Sequence, residues 1–389
     1  MGFTVCFIRT RFVEENNNSI YLKMRKFAAT IALLSLALTA FSQVVSLNTN
    51  EIKKLKAQLK NNSETQKLYA GLAKNALNYL EEQPNAVDTI RTEGLLKGNP
   101  KKERTRQALG DMNKMFALAL QYRLSDDEKY LHKCVEFLEA WAKTNQPNGD
   151  PIDDTNLDKA IEAYDLIKAD INPAAKNTIK KWLAETALTE INSKRMKAGR
   201  ATAINNWNAH RLKVVGEIGY ALDNLDFINW TIDNLKSHIN INLYSDGTSL
   251  DFKERDAMHY HIYDLEPMLR LAIMIDRAKG INFYSYESPR GSSIQKSVNW
   301  LIPYIKGEKQ HEEYVNTTVK FDRDRAKNNE AGFAPGTMFK PELALPVLKL
   351  AVYFDPGLVE VLQSVNGKEK SWSGILDQLQ QDSNKIQNK

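Results

Sequence analysis

Residues 124–143, LSDDEKYLHKCVEFLEAWAK, place Tyr130, Leu131, Cys134, Val135, Leu138 and Trp141 at the spacing of one helix face. Ser125, followed three residues later by Glu128, reads as a capping box that starts this helix. Similar signals recur along the chain. In INPAAKNTIKKWLAETALTEI, Asn172 is the expected N-cap, Pro173 the first helical residue, and Ile179, Trp182, Leu183 and Leu188 share a side. NLDFINWTIDNLKSHI, IQKSVNWLIPYIKGE and PELALPVLKLAVYF read likewise, and strand alternation is scarce. Helices of about 12 to 20 residues joined by short turns predict stacked helical hairpins in a toroid, barrel or solenoid. The lack of a fixed-period repeat argues against a regular solenoid. The expectation is a single all-α domain spanning 44–389.

The N-terminus is set apart from this pattern. MRKFAATIALLSLALTAFSQ, residues 24–43, has a basic start, an apolar run and small residues near its end, which is the composition of a secretory signal peptide. Residues 1–23 then read as a mis-assigned upstream start, with cleavage near Ser42 or Gln43. The expected mature protein is secreted or periplasmic, and no later segment offers the roughly 20 apolar residues of a membrane span. Cleavage removes five basic and two acidic residues, lowering the formal charge from +5 to +2. Little basic excess is left to favour nucleic acid or an anionic membrane. Cys6 goes too, leaving Cys134 without an intramolecular disulfide partner.

Three loops interrupt the helices: 92–104 (TEGLLKGNPKKER), 144–156 (TNQPNGDPIDDTN) and 314–337 (YVNTTVKFDRDRAKNNEAGFAPGT). Long loops on a compact helical scaffold tend to be functional. Lys102 and Arg325 are suited to anionic ligands, whereas Asp150, Asp153 and Asp154 are not.

Two stretches could carry chemistry. Treated as one helix, DFKERDAMHYHIYDLEPMLRLA (251–272) puts Met258, Ile262, Leu265 and Leu269 on a core stripe and Asp256, Tyr260, Tyr263 and Asp264 opposite. Tyrosines in place of the usual surface Lys and Glu suggest an inner helix whose second face lines a cleft. His259 and His261 point roughly 160° apart on a helix, so they cannot share one metal ion. No H-E-x-x-H string is present either, so no metal and no cofactor are expected. In NNWNAHRLKVVGEIGYAL (205–222), Asn206, His210, Lys213 and Glu217 lie opposite an apolar stripe, so Asn206 and His210 can reach one space. The chain has no G-x-S-x-G elbow and no Gly-rich phosphate loop. Asn, His, Arg and Tyr together suit proton abstraction beside a carboxylate. In β-elimination from a uronic acid, that carboxylate must be neutralised before the C5 proton is acidic enough to leave. A tyrosine could act at C5 or on the leaving O4, and a cation such as Arg255 would lower its pKa from the free value of about 10.

NNWNAHR, followed some fifty residues on by DGTSLDFKERDAMHYHIYDLEP, resembles the alginate lyase superfamily of helical-toroid polysaccharide lyases, particularly secreted Bacteroidetes-type members. The resemblance implies an incomplete (α/α) toroid and a cleft for an anionic polysaccharide. It also implies metal-independent β-elimination of a 1,4-linked uronate polymer such as alginate or glucuronan. Tyr260, in A-M-H-Y, matches the family's catalytic tyrosine, and Arg255 its upstream arginine, with Lys253 second. Asn205 and Asn206 match the start of the family's Asn-Asn-His string, but Trp207 stands where the histidine belongs. His210 is the expected replacement, with His259 the other candidate. The full expectation is catalytic Tyr260, His210, Asn206 and Arg255, with Asn205, Trp207, Lys253, His259, Tyr263, Lys102 and Arg325 binding substrate, in a monomer. Two other readings compete: a non-catalytic carbohydrate-binding protein with Trp207 and the tyrosines as stacking platforms, and a metal-dependent glycan hydrolase.

Overall fold

A computed structural model describes residues 43–366 and 370–387. The signal-peptide reading of 24–43 therefore lies outside the described residues, Gln43 apart. The helices are α1 (Thr49–Asn61), α2 (Ser63–Tyr79), α3 (Pro100–Ala108), α4 (Gly110–Ser125), α5 (Glu128–Thr144), α6 (Pro151–Asp154), α7 (Asp158–Ile167), α8 (Pro173–Ile191) and α9 (Asn206–Leu222). They continue with α10 (Leu225–Asn242), α11 (Leu250–Arg255), α12 (Met258–Lys279), α13 (Ile294–Ile305), α14 (Lys320–Lys327), α15 (Leu345–Ala351), α16 (Val359–Asn366) and α17 (Trp372–Gln387). Among the described residues no helix is long and apolar enough to cross a membrane.

The packing order is that of a helical toroid. Helix α4 packs on α7, α7 on α9 and α9 on α12, forming an inner row. Helices α5, α8, α10 and α15 back that row from outside. Helix α9 is central because it feeds two apolar clusters: Val214, Val215 and Ile218 enter one, and Ala209, Leu212 and Tyr220 the other. Its expected polar stripe is consequently buried, and Lys213 is neutralised against Asp158 instead of meeting solvent. Gly216 permits the close approach: a Cβ there would lie 2.6 Å from Leu271 Cδ1 and 3.1 Å from Thr231 Cγ2.

Local signals held in part. Asn172 caps α8, its Oδ1 accepting from Ala175 N at 3.0 Å, and Cys134 is buried in the core. The capping box at Ser125 does not form. Asp126 turns left-handed (φ 59°), Ser125 closes α4 by donating to Gln121 O at 2.9 Å, and Asp127 caps α5. The expected continuous helix over 251–272 is likewise broken, because Asp256 is left-handed (φ 49°) and Ala257 extended. The break is held by a distant segment: Asp256 O accepts from Tyr314 N at 2.7 Å, and its Oδ2 from Asn316 N at 2.8 Å. The three loops contain structure of their own, α3, α6 and α14. The third is tied at its base by two short strands, β1 (Glu312–Glu313) and β2 (Thr337–Met338), paired antiparallel.

Candidate active site

The N-terminal ends of α9 and α12 open on a cleft of about 620 Å³, counting space open to solvent. Asn206 and Trp207 line it from α9, Arg255 from α11, and His259, Tyr260 and Tyr263 from α12. Glu93 and Ile152 come from the first two loops, and Phe321, Arg325 and Phe333 from the third.

Tyr260 is the most constrained of these groups. Arg325 Nη1 donates to its phenol oxygen at 2.7 Å, and the Arg255 guanidinium carbon sits 3.7 Å from its ring centroid. A hydrogen bond from a charged donor is worth about 1.5–3 kcal/mol, and a desolvated cation–π contact about 2 kcal/mol. Burial nonetheless pushes the Tyr260 hydroxyl up to about 12, with Arg255 and Arg325 pulling against it. The expectation that Arg255 brings this pKa below its free value is thus corrected: burial outweighs the cations, and the resting phenol keeps its proton. Both arginines are themselves fixed. Arg255 donates to the buried Asp322 at 2.6 Å, and Arg325 lies between the rings of Phe321 and Phe333 at 4.5 and 4.6 Å.

His259 shares the cleft. Its ring meets Tyr260 edge-on at 5.0 Å and lies parallel to Tyr263 at 6.3 Å, and among the described residues neither ring nitrogen is hydrogen-bonded. Burial, then Arg325 and Arg255, push it down to about 4, so the imidazole is neutral at ordinary pH. The first turn carrying His259 and Tyr260 has no cap of its own. Glu313 of β1 supplies one, accepting from His259 N at 3.4 Å.

The other expected residues divide. Asn205 is the N-cap of α9, accepting from Trp207 N at 3.1 Å. Asn206 faces the cleft and is held by Asp251, whose Oδ2 accepts from its backbone N at 2.8 Å and whose Oδ1 accepts from its amide. Burial and the neighbouring Asp264 push Asp251 up to about 7. His210 does not line the cleft: it lies behind Tyr263 at 4.3 Å, its Nδ1 paired with Thr155 Oγ1 at 2.9 Å. Burial pushes it down to about 3. His261 is buried on the far side of α12, between Ser249 Oγ at 2.9 Å and Ser297 O at 3.1 Å. Lys253 turns to Tyr244 and Asp246, and Lys102 turns inward to donate to Leu95 O at 2.6 Å, so neither reaches the cleft. Asp264, expected beside the tyrosines, is fully buried.

The acidic loop also finds its purpose. Asp153 Oδ1 accepts from Thr92 N at 2.6 Å and Glu93 N at 3.0 Å, which fixes Glu93 at the cleft edge. Glu330 accepts from Lys97 N at 2.8 Å and so joins the first loop to the third. Asp251, Asp322, Glu313 and Glu93 were not singled out from sequence. Each looks like an ordinary surface acid until a segment 45 or more residues away folds onto it, as Asn206 does on Asp251. Among the described residues, no group of three or more His, Cys, Asp or Glu side chains could hold a metal ion.

A family model described as alginate lyase matches residues 48–311. A comparison with curated proteins gives no match. Among solved structures, an alginate lyase from Bacteroides ovatus aligns with a TM-score of 0.66 at 19% identity, covering 87% of this chain and 99% of that one. Alginate lyase A1-III from Sphingomonas species A1 aligns with a TM-score of 0.54 at 19% identity, over 69% of this chain and 80% of that one. A variant of A1-III with a tyrosine changed to phenylalanine, complexed with a tetrasaccharide, gives a TM-score of 0.54 at 18% identity over the same shares of 69% and 80%. At these identities the solved structures establish the helical-toroid fold.

Proposed function

Because the chain belongs to the alginate lyase family, we propose that this polysaccharide lyase cleaves 1,4-linked uronate polymers, alginate or glucuronan, by metal-independent β-elimination at the Tyr260 cleft. The observation that carries this reading is the hydrogen bond from Arg325 to the Tyr260 oxygen, in a cleft that also presents a neutral His259. Since Arg325 supplies the donor to that oxygen, the phenol's own hydrogen is left for the cleft. This is what a general acid needs.

The substrate carboxylate binds against Arg255 and the Asn206 amide, which neutralise it and stabilise the enolate-like intermediate. His259 accepts the C5 proton. The C5–H electron pair becomes the C4=C5 double bond, the C4–O4 bond breaks, and Tyr260 gives its proton to O4. The imidazolium then returns a proton to the phenolate, restoring both groups. Arg325 and Arg255 hold the phenolate while it exists. His259 thereby takes the imidazole role that Trp207 leaves open, and His210 supports Tyr263 from behind.

We read the enzyme as exported by its N-terminal segment, with cleavage near Ser42 or Gln43, and as a monomer, since one chain supplies every group used. The test is ultraviolet absorbance from new C4=C5 bonds on incubation with alginate, and separately glucuronan, with a chelator present. Absorbance should rise with the wild type and fall at least about 100-fold with Tyr260→Phe. No absorbance across a panel of uronate polymers would overturn the reading.

A further inference from the structure

The connection between α8 and α9 includes SKRMKAGR, residues 193–200, in which Lys194, Arg195, Lys197 and Arg200 are four cations within seven residues. All four are exposed. Arg195 meets Asp150 at 3.6 Å, while among the described residues no ion pair holds Lys194, Lys197 or Arg200. Such a concentration of like charge repels itself unless something anionic covers it.

The loop is built, not slack. Met196 is buried beneath it, Arg200 N donates to Lys197 O at 3.1 Å, and Thr202 Oγ1 donates to Arg195 O. Both ends abut the cleft wall. Ser193 Oγ donates to Gly149 O, and an added Cβ on Gly149 (φ +68°) would lie 3.0 Å from Thr189 O and 3.1 Å from Ser193 Cβ. Three residues on from Gly149 is Ile152, a cleft-lining residue. At the other end Asn205 N donates to Ala201 O at 3.2 Å, and Asn206 and Trp207 of the cleft follow directly. The loop thus runs from the Gly149 turn, three residues before Ile152, to the start of α9, where Asn206 and half-exposed Trp207 enter the cleft. The exposed acid nearest in the surface depression below the cations is Glu185, which shares it with Lys194 and Arg195.

We infer that the 193–200 loop is a second binding surface for the polymer, holding the carboxylates of uronate residues beyond those in the catalytic cleft. The inference rests on the proposed uronate substrate: a polymer with one carboxylate per sugar matches a cluster of exposed cations, three of which no ion pair holds among the described residues. Single exposed charge contacts are weak, so the loop works by number, and its contribution is screened by salt. It favours long chains over short ones.

The test compares Lys194→Gln/Lys197→Gln/Arg200→Gln with a charge-matched control, Lys53→Gln/Lys60→Gln/Lys67→Gln, both in the Tyr260→Phe background so that polymer survives. Retardation in native gels containing alginate should weaken about tenfold in the loop variant and not in the control, with the difference vanishing near 1 M salt. With Tyr260 intact, the loop variant's polymer-to-trisaccharide ratio of kcat/KM should fall about tenfold. Equal retardation of the two variants would overturn the inference, as would a loss that persists at high salt or comes with a lowered Tm. Because retardation reads binding alone, it stands apart from the proposed chemistry: a protein that makes no double bonds yet loses retardation in the loop variant would sink the lyase mechanism and keep the loop's role.

Discussion

Tyr260 and His259 are pushed in opposite directions by the same burial, the phenol up and the imidazole down, so that each rests in its neutral form. That assignment separates the two candidate histidines. His259→Ala should lower kcat by about 10²–10⁴-fold with Tm little changed, because the ring makes no hydrogen bond that the fold depends on. His210→Ala should cost about 1–3 kcal/mol in denaturant unfolding, since it removes a buried ring and leaves the half-buried Thr155 hydroxyl without its partner. Kinetics and unfolding on both variants check this, and a near-neutral kcat for His259→Ala would return the base role to Tyr260 itself. The sequence made Tyr260, Arg255, His259, Tyr263 and Asn206 legible, because helical phase and motif both bear on them. It named Arg325 only as a loop cation. Its contact with Tyr260 spans 65 residues and depends on how the third loop folds back.

At the scale of the element, α9 shows why polarity along a helix misled. A polar stripe normally marks the solvent side. Here the helix is enclosed by α8, α10 and α12, and Asn206, His210 and Lys213 of the stripe find their partners internally in Asp251, Thr155 and Asp158. Gly216 is the point of closest packing. Gly216→Val should destabilise by about 1–3 kcal/mol, measured by urea unfolding, because the added side chain would meet Leu271 and Thr231, both fully buried; an unchanged midpoint would mean α9 and α12 pack more loosely than this. The break at Asp256 also escaped a sequence reading, since its left-handed turn is stabilised by Tyr314 and Asn316 rather than by a local glycine.

For the whole molecule, two populations of buried groups oppose one another with pH. Asp150, Asp251 and Glu313 are raised to about 7 and Asp154 to about 6, chiefly by burial. Their contribution to stability is full below the unfolded carboxyl pKa and is lost as pH rises through 6 to 7. His210, His238, His259 and His261 are lowered to about 3 or 4, so theirs is present above about 6.5 and lost as pH falls through those values. Asp165, Glu190, Glu217 and Asp264 are raised by burial in the same direction, so the carboxyls outnumber the histidines and set the net slope. Tm should therefore decline as pH rises from about 4.5 to 7; a rise across that range would contradict the assigned shifts. The helical toroid itself was legible because hairpin length and apolar spacing recur throughout. The third loop's role in completing the cleft was not, because its sequence is polar and its order comes from β1, β2 and Asp256. The central claim is that this cleft performs β-elimination through Tyr260. Its most direct test is the C4=C5 absorbance of alginate products from wild type and Tyr260→Phe, at matched Tm and with chelator present. Strong absorbance from the first and almost none from the second is the predicted result, and equal absorbance from both would contradict it.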